Sequence, residues 1–109
     1  FSISITPTST NSKILILHFN GGIVTNSGYH GVRLLRDSTV VARHWQYQND
    51  GSFWSPAAAG MIYLDSPATT SSITYKMQGY MSTSGGDFRY NYGGPSNSIG
   101  NMIAQEIAG

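Results

Sequence analysis

Three histidines, His18, His30 and His44, and five acids, Asp37, Asp50, Asp65, Asp87 and Glu106, are the side chains of this 109-residue chain best suited to hold a metal or move a proton. The histidine spacings match no zinc signature, and there is no cysteine to complete a ligand set; His18 is expected on a strand face, and His30 and His44 flanking strands near loops. Glycoside hydrolysis needs two carboxylates facing each other across a sugar. Asp37 and Asp65 instead adjoin turn segments, where Asp commonly folds or caps the turn. No G-x-S-x-G elbow occurs, and neither "GYHGVR" nor "STSGGDF" opens a phosphate loop, because no helical pattern follows. Their glycines are expected to form turns. The expectation is a protein without catalytic residues, cofactor or metal, and not an enzyme.

Recognition chemistry is better represented. The stretch "HWQYQNDGSFWSP", His44 to Pro56, carries the rings of Trp45, Tyr47, Phe53 and Trp54 beside Asn49 and Asp50. Its "QNDGS" centre reads as a loop, and four rings in a loop cannot all be core. Aromatic faces next to amides and a carboxylate suit a sugar: the ring packs on C–H groups while the polar groups hydrogen-bond the hydroxyls. Gly51 permits a bend that would bring the rings on either side of it together. The other reading keeps one or both tryptophans over the open end of the fold or in a subunit contact, where their area stabilises most. Both readings stand at this stage.

The elements that position these groups read as strands. Phe1, Ile3 and Ile5 alternate with Ser2, Ser4 and Thr6, the period of a half-buried strand. "PTSTNS" is a turn, and "KILILHFN" is apolar on both parities, so one of its faces can be core while the other needs a further cover. "GVRLLR" and "TVVARHW" make a hairpin about "RDST". "MIYLD" is a short strand closed by "SPATTS". In "SITYKMQGYM", Ile73, Tyr75, Met77 and Met81 share one face, with Thr74, Lys76 and Gln78 on the other. "FRYNY" and "MIAQEIA" complete the set, the latter with Gln105 on the parity of Ile103 and Ile107. "PAAAG" is too short for a helix. The fold expected is all-β, a jelly-roll-like β-sandwich of about eight antiparallel strands forming one domain over residues 1–109.

Charged residues are only 10% of the chain and the net charge is +1, which leaves no electrostatic footprint for nucleic acid. The absence of cysteine excludes a disulfide framework without fixing a compartment. No run of about 18 apolar residues predicts membrane insertion, and no signal-peptide pattern opens the chain. Phe1 lies inside a strand-like pattern, so the chain is expected to be the C-terminal piece of a longer protein.

The segments "ITPTSTNSKILILHFN", "VRLLRDSTVV", "YLDSPATTSSITYKMQGYM" and "SIGNMIAQEIAG" span nearly the whole chain. In this order they resemble the C-terminal domains of tail-fibre and related structural proteins of marine bacteriophages. The shared motifs are strand and turn residues, and the resemblance brings no catalytic residues with it. It departs at "NGGIVTNSGYHG" and "WQYQNDGSFWSP", expected to be loops where receptor contacts would vary. The resemblance implies a trimeric fibre head on a virion, extracellular after release, that contacts other virion proteins and adheres to a host cell-surface glycan. The chemistry of the aromatic stretch then makes Trp45, Tyr47, Asn49, Asp50, Phe53 and Trp54 the expected ligand-binding surface. The doubly apolar "KILILHF" strand is consistent with a homotrimer, because a threefold axis buries the same patch three times. Two further expectations remain open: a purely structural virion module whose rings make subunit contacts, and a depolymerase, for which the chain is short and a carboxylate pair is not evident.

Overall fold

Period-2 alternation decides which side of each strand is greasy, and the structure stacks those sides against one another. This computed structural model describes residues 1–25, 28–48, 55–81, 88–90 and 100–109. The strands are β1 (Ser2–Ile5), β2 (Lys13–Thr25), β3 (Gly28–Arg36), β4 (Thr39–Gln48), β5 (Ser55–Asp65), β6 (Ile73–Met81), β7 (Phe88–Tyr90) and β8 (Asn101–Ile107). One antiparallel sheet has the order β1-β6-β3-β4. The other has β5-β2-β7, with β8 also paired to β2. β8 covers the Lys13–Phe19 half of β2 and β7 the Ile23–Thr25 end, while β5 runs along the opposite side. The protein is all-β among the described residues.

The core lies between the two sheets. Ile14 and Ile16 of β2 and Met61 of β5 meet Val32 and Leu34 of β3 and Ile73, Tyr75 and Met77 of β6, all buried. Ile3, Ile5, Ala42, Met102 and Ala104 pack around them. The face expected for "SITYKMQ" is therefore the inward one. Gln105 shares the exposed face of β8 with Ile103 and Ile107, and Met102, Ala104 and Glu106 turn inward. The parity conflict disappears because that face is not the core face.

Three sequence expectations need correction. "NGGIVTNSGYHG" is largely strand, since β2 continues to Thr25 and β3 starts at Gly28. Its pairing with β5 shifts between Asn20 and Ile23, where Gly21 and Gly22 form an irregularity that lets the strand bend and continue. β5 begins at Ser55 instead of Met61. The small "SPAAAG" residues are weak strand formers held extended by pairing with β2, and Pro56 is tolerated because β5 is an edge. Finally, His30 lies within β3 and is buried, and His44 lies within β4, so neither merely flanks a strand.

Polar contacts fasten the layers. The two-residue Asp37–Ser38 turn joins β3 to β4, with Asp37 at φ 52°, a left-handed conformation that Asp adopts more readily than most residues. Asp37 Oδ1 accepts from the Thr74 amide at 2.9 Å, and the Asp37 amide donates to the Thr74 carbonyl at 2.8 Å. Asp65, expected at a turn, closes β5 and is buried. Arg36 Nη1 donates to both of its oxygens at 3.0 and 3.1 Å, and the Tyr75 hydroxyl donates to Oδ2 at 2.7 Å. This contact crosses from one sheet to the other. Burial, and then the bond to Asp65, push the Tyr75 hydroxyl pKa well above the ordinary tyrosine value.

Candidate functional site

The β3–β4 hairpin brings aromatic residues together on the outside of the first sheet. Its register sets Tyr29 opposite Tyr47, Gly31 opposite Trp45 and Arg33 opposite Arg43. On the other side of β3, β6 sets Tyr80 opposite Gly31 and Gln78 opposite Arg33. The result is three cross-strand rows: a tyrosine pair, then Trp45 and Tyr80 about a glycine, then two arginines and an amide.

Trp45 and Tyr47 are more than half exposed, at 54% and 57%, and Tyr29 and Tyr80 are also open to solvent. Tyr29 stands between the other two rings. Its centroid is 4.7 Å from Trp45 with the planes at 79°, and 4.8 Å from Tyr47 at 51°. The edge-to-face contact with Trp45 and the tilted one with Tyr47 fix ring orientation while Trp45 and Tyr47 stay more than half exposed. Gly31 is buried although it faces outward, and a Cβ there would lie 2.6 Å from the Trp45 Cα, with the His44 carbonyl oxygen closer still. The glycine therefore lets β4 approach and leaves a floor without a side chain between Trp45 and Tyr80. Arg33 Nε donates to Gln78 Oε1 at 3.0 Å, so the polar row beside the rings is partly ordered.

Trp45 and Tyr47 therefore stand on a regular strand, not in a loop, because β4 extends to Gln48. Pairing with Gly31 and Tyr29 holds this "HWQYQ" segment extended. Asn49, Asp50, Phe53 and Trp54 lie outside the described residues. Sequence reading missed Tyr29, Gly31, Tyr80, Arg33 and Gln78. The signal was the common parity of Tyr29, Gly31 and Arg33, but the glycines of "GYHGVR" read as turn formers, and only the cross-strand register assembles the cluster.

The second sheet presents a different outer face. Leu15 lies beside Leu64, Leu17 between Ile62 and Ile103, and Phe19 between Gly60 and Asn101. Ile62 is 78% exposed, and Phe19, Leu64, Ile103 and Ile107 are exposed as well. At about 200 Å² for a fully exposed large side chain, these five leave on the order of 500 Å² of apolar surface open, near the top of the range for a monomer. This is the second face of the "KILILHF" strand.

The histidines do other work. His18 is buried on the core side of β2, with Nδ1 2.9 Å from the Asn101 carbonyl and the Phe1 ring edge-on at 5.0 Å. Burial lowers its pKa below the usual histidine value. Among the described residues no three His, Asp or Glu side chains group as a metal site, and no helix is long and apolar enough to cross a membrane.

The fold and its two outer faces define an all-β protein with an aromatic face on one sheet and an aliphatic face on the other. No protein-family model matches the chain, and no curated protein is significantly similar to it.

Proposed function

We propose that this chain is the receptor-binding head of a phage tail fibre, a homotrimer that adheres to host-surface glycan without turning it over. The observation that carries the reading is the solvent-open cluster of Trp45, Tyr29 and Tyr47, set beside Arg33 and Gln78. Exposed rings stabilise a lone domain little, whereas they supply the stacking half of sugar recognition and the neighbouring polar groups supply the other half. The aliphatic face of the second sheet supports assembly. A standard interface buries about 800 Å² per partner, and homodimer interfaces are about 65% apolar, so each subunit contributes roughly 500 Å² of apolar area, which this face offers. Three weak sites on one rigid tip would reach useful avidity from about millimolar single-site affinity.

On the same proposal the two sheets form a jelly-roll-like sandwich of about eight strands, and the head sits on the virion in contact with other virion proteins. The aliphatic face also favours a second reading, a purely structural virion module whose outer residues are all subunit contacts. Tryptophan quenching on assembled particles separates the two, since buried rings resist a soluble quencher. The direct test compares Trp45→Ala and Tyr47→Ala with the parent protein for melting temperature and attachment to host cells. Attachment should fall sharply with melting unchanged. Variants that melt early, while their folded fraction still adheres, would end the adhesion reading for this face.

A further inference from the structure

Arg33 and Arg43 face each other directly across the β3–β4 ladder, on the same outer surface and in the row next to Trp45, Gly31 and Tyr80. Like charges in directly opposed positions destabilise an antiparallel pair. Nothing in the described surroundings relieves this. The outward residues of the sheet there are Ser2 and Ser4 of β1, Lys76, Gln78 and Tyr80 of β6, Tyr29, Gly31 and Arg33 of β3, and Arg43, Trp45 and Tyr47 of β4. None of these is acidic, and the exposed Asp37 of the β3–β4 turn is engaged by the Thr74 amide at 2.9 Å. The ion pair among the described residues is Arg36 with Asp65, at the sheet's inner side. Arg33 spends one donor on Gln78, which aligns its guanidinium, and Arg43 is exposed. In a chain with only six Lys and Arg residues, three of them, Arg33, Arg43 and Lys76, lie on this one face.

We infer that the aromatic face binds an acidic saccharide, with its carboxylate or sulfate held by Arg33 and Arg43 while the neighbouring sugar ring packs on Trp45 over Gly31. This rests on the glycan reading above and adds the ligand's charge. Guanidinium groups match planar oxyanions with paired donors, and an anion placed between the two arginines converts their mutual repulsion into shared attraction. The spacing suits one polymer. Adjacent rows on one sheet face are two residues apart, about 7 Å along the strand, within the span of neighbouring sugar units.

The test uses hyaluronate, polygalacturonate and dextran sulfate, each beside its carboxyl-reduced or unsulfated counterpart, with binding measured at low and high salt. The parent protein should bind at least one acidic polymer about tenfold or more tightly than its neutral counterpart, and added salt should weaken that binding. Arg43→Gln should lower the acidic affinity roughly tenfold, with the melting temperature kept, and Arg43→Lys should recover part of it. Trp45→Ala should weaken the same binding. Equal binding to acidic and neutral forms would overturn this inference and leave the glycan reading intact. Acidic binding indifferent to Trp45→Ala would mark unspecific charge attraction and also overturn it. Binding to none of the acidic polymers overturns it as well, and the neutral ones then decide the glycan reading separately.

Discussion

Gly31 and Trp45 are opposed across the β3–β4 ladder at a distance that only glycine allows: a Cβ on residue 31 would sit 2.6 Å from the Trp45 Cα. The substitution Gly31→Ala must push β4 away or distort β3. Overpacking of this kind costs about 1 to 3 kcal/mol, so the variant should melt earlier and lose the Tyr29–Trp45 ring contact, visible in near-ultraviolet circular dichroism. Unchanged melting would show that β4 yields freely.

On the other sheet, Ile62 is 78% exposed, so Ile62→Asp should leave folding within about 0.5 kcal/mol of the parent. An oligomer held by this face should fall apart all the same, because the new carboxylates would be buried unpaired. Sedimentation or light scattering reads the mass. If the variant stays assembled, the contact between copies lies elsewhere.

Asp65 joins three strands, so Asp65→Ala leaves the Arg36 guanidinium and the buried Tyr75 hydroxyl without their shared acceptor. The expected loss is about 2 to 4 kcal/mol, measured by denaturant unfolding. Asp65→Asn keeps one acceptor oxygen and should lose less. A loss under about 1 kcal/mol would mean that water replaces the carboxylate.

Acid should weaken the fold in two stages. The His18 pKa is lowered by burial, so the unfolded chain takes up its proton first, and stability declines as pH falls below the ordinary value of 6.5. The Glu106 pKa is lowered by its hydrogen bonds, first from Ser12 and then from Thr8, so its contribution is present above 4.5 and is lost as pH falls further. Melting temperature measured from pH 7 to 3 should therefore show the upper stage absent in His18→Gln and the lower stage absent in Glu106→Gln. A parent protein with constant melting temperature from pH 7 to 5 would contradict the histidine assignment.

How far the sequence reaches is clear from particular strands. Alternation located Ile73, Tyr75 and Met77 in the core, and the double apolar parity of residues 13–19 announced a face without a cover in one chain. Both are local patterns. The sequence reads Trp45 and Tyr47 as part of an aromatic loop whose rings cannot all be core, because propensity does not reveal that Gly31 and Tyr29 hold them in a ladder. The sequence pattern does not single out Tyr80 and Arg33 for a related reason: they join the cluster through the register of β3 with β6 and β4, which residues far apart in sequence decide. Asp65 looked like a turn residue because its partners, at positions 36 and 75, are likewise remote.

The first strand finds its place against residues 73–76, and the Lys13–Phe19 half of the second is flanked on one side by residues 101–107. Until residues 101–107 leave the ribosome, Ile14 and Ile16 lack the β8 wall and one row of their ladder stays unpaired. These strands cannot settle one after another in the order of synthesis, and the entropy of closing such long loops slows folding. During synthesis the aliphatic strand is thus exposed on an open edge, a hazard for aggregation. The cell making this protein in quantity would have to shield that strand until residues 101–107 emerge to pair with it.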